Sequence, residues 1–186
     1  MRLGLAALIL NSMNELDEFW SEKLSDAIQH ARGSGRGDLA DYLVLKAAND
    51  AVRQAGVEQF FDAVIELATS TDHASKTVTI ERESPHNFLH RNANMVGELL
   101  RLRYGVRCMT VEAGWTRTPS DGFMRLGALA FARITHFGLP HENAEFVLTD
   151  NGDGQTWARV RRERPDKDSS LEELEGHFRV LLDERR

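Results

Sequence analysis

Apolar residues recur every three or four positions through the first third of the chain and every second position after that, and the change of period divides the sequence. In Glu15–Ala31, the residues Leu16, Phe19, Trp20, Leu24, Ala27, Ile28 and Ala31 fall on one helical stripe. Asn14 is placed to cap that helix, because its side chain can accept a bond from an orphan amide of the first turn. The helix should stop at Gly33-Ser34-Gly35-Arg36-Gly37, where three glycines raise the entropic cost of staying helical. Asp38 can cap a second helix running to about Ala55, with Gly56 in the left-handed position that ends it. A third helix, Val57–Ala68, turns Phe60, Phe61, Val64, Ile65 and Ala68 inward, and the small polar segment Thr69–Ser75 closes the helical part.

The period then drops to two. Lys76–Glu83 alternates Val78 and Ile80 with threonines, as a half-buried strand does. Val96–Tyr104 aims Val96, Leu100, Leu102 and Tyr104 one way and Arg101 and Arg103 the other, and Gly105 turns the chain into Val106–Trp115. Phe123–Phe137 reads two ways. Ala128–Ile134 suits a helix ended by Gly138 and Pro140, whereas Gly122, Gly127 and the run Ile134-Thr135-His136-Phe137 favour a strand, which is the expectation. Asp150-Asn151-Gly152-Asp153-Gly154 is a hairpin signal between Glu145–Thr149 and Gln155–Arg161. Ser170-Leu171-Glu172-Glu173 is a capping box for a C-terminal helix that buries Leu171, Leu174, Phe178, Leu181 and Leu182.

About three N-terminal helices, an antiparallel meander of five or six strands and a C-terminal helix packed on the sheet make an α+β fold. The expected organisation is a single domain over residues 1–186, with a helical layer at 13–68, the sheet at 76–164 and the last helix at 169–184. Hydrophobic residues at 41% and charged residues at 28% exclude disordered, collagen-like and membrane-spanning classes. The single Cys108 forms neither an internal disulfide nor a thiolate zinc site. Met1–Leu10 reads either as a signal peptide or as an extension packed on the fold, or an upstream start ahead of Met13. Its lone Arg2 and the following NSMNE, which lacks a small-x-small cleavage pattern, favour the latter pair and a cytoplasmic location.

Charge is partitioned. Residues 1–75 carry net −6, residues 76–164 carry +3 and residues 165–186 carry −3, and every basic residue of the middle segment except Lys76 is an arginine. Arginine suits bidentate pairing with carboxylate or phosphate, so a small anionic ligand is a candidate partner. The plainer account is a solvated sheet face with Arg paired across strands to Glu98, Glu112 and Glu145. A +3 segment in an acidic chain is not a nucleic-acid footprint, and no segment reads as a membrane partner.

Two polar stretches carry candidate chemistry. Ser84–Asn94 is expected as a loop or single helical turn with Ser84 as cap and Pro85 at the first position, which sets His86 and His90 on one face. With Glu112 or Asp121 from elsewhere those imidazoles are weak candidates for a metal, although Asn87 breaks the metalloprotease pattern. In Glu112–Gly122, Arg117 can hold an anion, Trp115 can form an apolar wall, and Glu112 or Asp121 can act as a base; equally, Thr118–Gly122 is a plain turn and Trp115 is core. Phosphate-loop, dinucleotide and nucleophile-elbow motifs are missing, and the residues name no cofactor. The leading expectation is a non-catalytic binding module with His86, His90, Asn94, Trp115 and Arg117 lining a polar pocket at the sheet end. The alternatives are a hydrolase-type enzyme using Glu112, Asp121 or His86, and a protein-interaction subunit whose acidic helices meet a protein partner. A homodimer is the commonest assembly for such a chain.

Overall fold

A computed structural model of the chain describes residues 22–70, 77–150, 154–161, 164–166 and 173–183, and it divides into two compact units, Met1–Asp50 and Ala51–Arg186. Several expected features lie outside the described residues: Met1–Leu10, the Asn14 cap, the start of the first helix, Thr71–Lys76, the turn residues Asn151–Asp153, and Ser170–Glu172.

In the first unit, helix α1 covers residues 22–33. It ends at the glycine-rich segment as anticipated: the Ser34 hydroxyl donates back to the His30 carbonyl at 2.8 Å and Gly35 takes a φ of +73°. Helix α2, Gly37–Thr69, then runs unbroken for 33 residues, so the expected second and third helices are one. Gly56 does not end it. A Cβ at that position would lie 2.4 Å from Leu148 Cδ2, so glycine there lets the helix settle against the sheet. Its carbonyl accepts the indole N–H of Trp157 at 2.9 Å.

The second unit is built on one antiparallel sheet whose spatial order follows the chain: β1 Thr79–His90, β2 Ala93–Tyr104, β3 Arg107–Trp115, β4 Ala130–His136, β5 Ala144–Asp150, β6 Gln155–Arg161 and β7 Arg164–Asp166. Helix α3, Glu173–Leu182, follows. The α+β class and the C-terminal helix stand, with seven strands rather than five or six. The extra one is the three-residue edge strand β7, too short for a period and carrying Pro165, a residue that sheets admit at edges. The strand reading of Phe123–Phe137 holds for Ala130–His136, preceded by two single 3-10 turns, Pro119–Asp121 and Arg125–Gly127.

Ser84–Asn94 is corrected more deeply. It forms neither loop nor helical turn: β1 continues to His90 across a bulge between Glu83 and His86, turns at Arg91-Asn92, and returns as β2 from Ala93. Proline is tolerated because a bulge on an edge strand leaves a ladder position unpaired.

Strand alternation gives the sheet two faces. On the first, Leu100, Leu102, Met109, Val111, Ile134, Phe146 and Leu148 pack against Val57, Phe60, Phe61 and Val64 of α2 and Leu174, Phe178 and Leu181 of α3. Phe60 meets Trp157 at 4.8 Å and Phe146 edge-on at 5.5 Å between ring centroids. The second face carries a smaller apolar cluster of Phe88, Ala93, Met95, Ala128, Phe131 and Val147, to which no described helix contributes.

Candidate functional site

The register aligns two rows of side chains across the second face. One row runs Glu83, Leu99, Glu112, Arg133, Glu145 over five strands, and the next runs His86, Gly97, Gly114, Phe131, Val147, Ala158 over six. Gly97 and Gly114 face each other in tight contact, since a Cβ on Gly97 would stand 1.9 Å from the Ala113 carbonyl. Two adjacent positions without side chains leave space for the His86 ring to reach over to β3.

There His86 Nε2 meets Glu112 Oε1 at 2.9 Å, while its Nδ1 lies 3.2 Å from Glu83 Oε1. Arg133 donates to the other Glu112 oxygen, from Nε at 3.0 Å and from Nη2 more closely. Burial pushes the Glu112 carboxyl up, but the bonds from Arg133 and His86 outweigh it and hold the group below the usual glutamate range. His90 lies over the Phe131 ring at 3.7 Å between centroids, and its Nδ1 is 3.9 Å from Glu145 Oε1. Burial, opposed by Glu145 and aided by Arg91 and Arg133, lowers its pKa and favours the neutral ring.

The two histidines share a face through strand alternation, not through the expected helical turn; His86 engages Glu83 and Glu112, and His90 lies near Glu145. Among the described residues, no group of three or more His, Cys, Asp or Glu side chains is arranged to hold a metal ion. Glu112 joins His86. Asp121 does not; its carboxylate is taken by the Thr118 amide and hydroxyl, both at 2.8 Å. Those same bonds keep the Asp121 pKa below the ordinary aspartate value. Trp115 stands on the opposite face, buried in the main core, with the Arg117 guanidinium 3.8 Å above its ring. Asn94 is exposed at the start of β2 and pairs in register with Leu89. The sequence-derived pocket therefore divides between two faces.

Compared with protein-family models, curated proteins and solved structures, the chain matches none. The geometry must carry the functional argument.

What sequence reasoning missed is a crevice between the second face and the β3–β4 connection. Met95, Met124, Leu126, Ala128, Phe131, Val147 and Val160 line it, together with His90, Arg91, Arg125 and Glu145. Its free volume is about 30 Å³, within an envelope of about 430 Å³ when the open mouth is counted. A signal for it exists in the chain: Ala93, Met95, Gly97 and Leu99 alternate with Val96, Leu100 and Leu102, so β2 is apolar on both faces where an amphipathic strand would be apolar on one.

Proposed function

We propose that the protein is a non-catalytic small-ligand-binding α+β module whose site is the crevice on the second face. The observation that carries this reading is the crevice itself: a largely apolar recess lined by two methionines, a phenylalanine and aliphatic side chains, with a few ionisable groups among them. Ligand sites commonly have this composition, with apolar walls for affinity and sparse polar groups for orientation. Methionine lining adds plasticity, because an unbranched thioether repacks around different shapes.

Two features weigh for binding over hydrolysis. Both oxygens of Glu112 are engaged by His86 and Arg133, and Asp121 is held within its own turn. Carboxylates held ionised by such partners are weak proton acceptors near neutral pH, where a general base works best with a pKa close to the operating pH. Much of the arginine in the sheet is also spent on internal partners, Arg82 on Glu98 at 2.7 Å and Arg101 on Glu81 at 3.1 Å, which favours a small molecule over nucleic acid. Among the described residues, no helix is long and apolar enough to cross a membrane. The lone cysteine accords with a cytoplasmic setting for such a module.

The test is a fragment screen by two-dimensional NMR on isotope-labelled full-length protein. Binders should shift the resonances of Met95, Met124, Phe131, Val147 and Val160 together, and Val160→Phe, which fills the recess, should weaken them at least tenfold. A screen in which hits shift other regions only, or in which Val160→Phe binds as well as the parent, removes the reading.

A further inference from the structure

A second recess lies on the same face of the sheet, toward the other end of β2, β3 and β4, and shares no lining residue with the crevice. The register builds it from two adjacent rows. Arg101, Thr110 and Thr135 stand side by side across three strands, and Arg103 and Cys108 stand in the row beyond. The Phe137 amide donates to the Cys108 carbonyl at 2.9 Å, which carries that second row on to Phe137. The free volume of the recess is about 510 Å³, which leaves room for an aromatic ring and its substituent.

The lining is cationic and rich in donors. Two arginines line the recess and, among the described residues, no carboxylate does. Arg101 reaches Glu81 of β1 at 3.1 Å, but Arg103 has neither an ion pair nor a hydrogen bond among the described residues. The side-chain hydroxyls of Thr110 and Thr135 are equally unengaged there, directly opposite each other with Cβ atoms about 5 Å apart. Water can satisfy these donors, so they alone select no ligand. The same recess also holds apolar groups that water does not satisfy: Phe137 is 84% exposed and Val106 is 96% exposed. An aromatic ring left in water beside unpaired donors suits a ligand with a ring at one end and an oxyanion at the other.

We propose that this recess is a second ligand site, one that takes a small aromatic phosphate monoester. The phosphate accepts from the Arg103 guanidinium and from the Thr110 and Thr135 hydroxyls, and the ring lies against Phe137 and Val106. Three terminal oxygens can use all of those donors, whereas a carboxylate has two and is met by one guanidinium fork. The site stands apart from the crevice, whose ligands would shift Met95, Phe131 and Val147 whatever binds here.

The experiment titrates the full chain at pH 8 and low ionic strength, where a phosphate monoester is a dianion, and follows amide resonances by NMR. The probes are phenyl phosphate, inorganic phosphate, benzoate and benzyl alcohol. Phenyl phosphate should shift Thr110, Thr135 and Phe137 together and bind about fivefold tighter than each of the other three, the increment of one exposed charge pair or one ring contact. Arg103→Gln, at an exposed position, should bring phenyl phosphate to the level of benzyl alcohol. Phe137→Ala, equally exposed, should bring it to the level of inorganic phosphate and leave inorganic phosphate unchanged. If phenyl phosphate leaves these resonances in place, or binds Arg103→Gln as well as the parent, the site is overturned. If benzoate binds as tightly as phenyl phosphate, the phosphate assignment is wrong.

Discussion

Two tryptophans show how differently the same side chain can be held. Trp115 and Trp157 are both 4% exposed and belong to the same core. Trp157 donates its indole N–H to the Gly56 carbonyl, whereas Trp115 Nε1 has no hydrogen-bond partner among the described residues. An unpaired buried donor carries its full desolvation cost, about 1–3 kcal/mol. Trp115→Phe therefore loses packing area but removes that cost, and should change stability by less than about 1 kcal/mol. Trp157→Phe leaves the Gly56 carbonyl its place in the helix ladder and removes only the indole bond, so it should cost about 1 kcal/mol more than the Trp115 change. Urea titrations of the two variants, followed by circular dichroism, give the comparison; equal losses would show that the Gly56 bond contributes nothing. At this scale the sequence was partly legible. Trp115 and Arg117 are neighbours, as local spacing implies, and His86 and His90 share a face. Local spacing does not say which face. That Glu112 meets His86 across Gly97 and Gly114, and that Trp115 lies on the other side three residues on, follows from the long-range register of β1, β2 and β3. The crevice draws its lining from β1, β2, β4, β5, β6 and the β3–β4 connection, elements far apart along the chain.

Elements were more legible than contacts, because periodicity is local. The switch from period 3.6 to two, the Gly105 turn and the strands flanking Asp150–Gly154 all appear where the pattern puts them. Where pattern and structure part, a residue has two structural uses and the rarer one is in force. Glycine after a helical run usually ends the helix, yet Gly56 sits mid-helix to admit Leu148; proline after serine can open a helix, yet Pro85 sits at a strand bulge. Gly56 and Gly176 supply an opposed pair of predictions. Both lie inside helices, where alanine is favoured over glycine by up to about 1 kcal/mol. A Cβ on Gly176 of α3 meets nothing within 4 Å, so Gly176→Ala should stabilise by about that amount. A Cβ on Gly56 collides with Leu148, which is fully buried and cannot withdraw. Overpacking costs of about 1–3 kcal/mol should outweigh the propensity gain, and Gly56→Ala should destabilise. Denaturant midpoints decide the matter, and a gain at Gly56 would mean that the helix–sheet contact yields without strain.

For the chain as a whole, part of the charge of the arginine-rich sheet is met by carboxylates of α3 and of the residue just beyond it. Arg159 and Arg161 bind Glu173 at 2.8 and 2.9 Å, and Arg107 binds Asp183 at 2.6 Å. Beneath these pairs lies a buried contact of opposite character: His136 Nε2 and His177 Nδ1 are 3.1 Å apart, with rings stacked at 5.3 Å. A bond between two ring nitrogens needs one donor and one acceptor, which two neutral imidazoles supply. Burial chiefly, with His136 and Arg159 adding and Glu173 opposing, lowers the His177 pKa to about 4 from its ordinary 6.5. The unfolded chain therefore takes up a proton at this site near pH 6.5 that the folded chain refuses until about pH 4. Stability associated with the neutral ring is complete above pH 7 and falls through that window, by about 3 kcal/mol at 1.36 kcal/mol per pH unit. His90, lowered chiefly by burial, slopes the same way, whereas Glu112 and Glu173, also lowered, release their share only below the ordinary glutamate range. Guanidinium titrations of the parent at pH 7, 6, 5 and 4 should thus show a decline that begins well above carboxylate pKa values. His177→Gln keeps a hydrogen-bonding side chain and removes the titration. It should be less stable than the parent at pH 7 yet lose markedly less between pH 7 and pH 4, the remainder belonging to His90. An unchanged slope in the variant would place the acid sensitivity elsewhere.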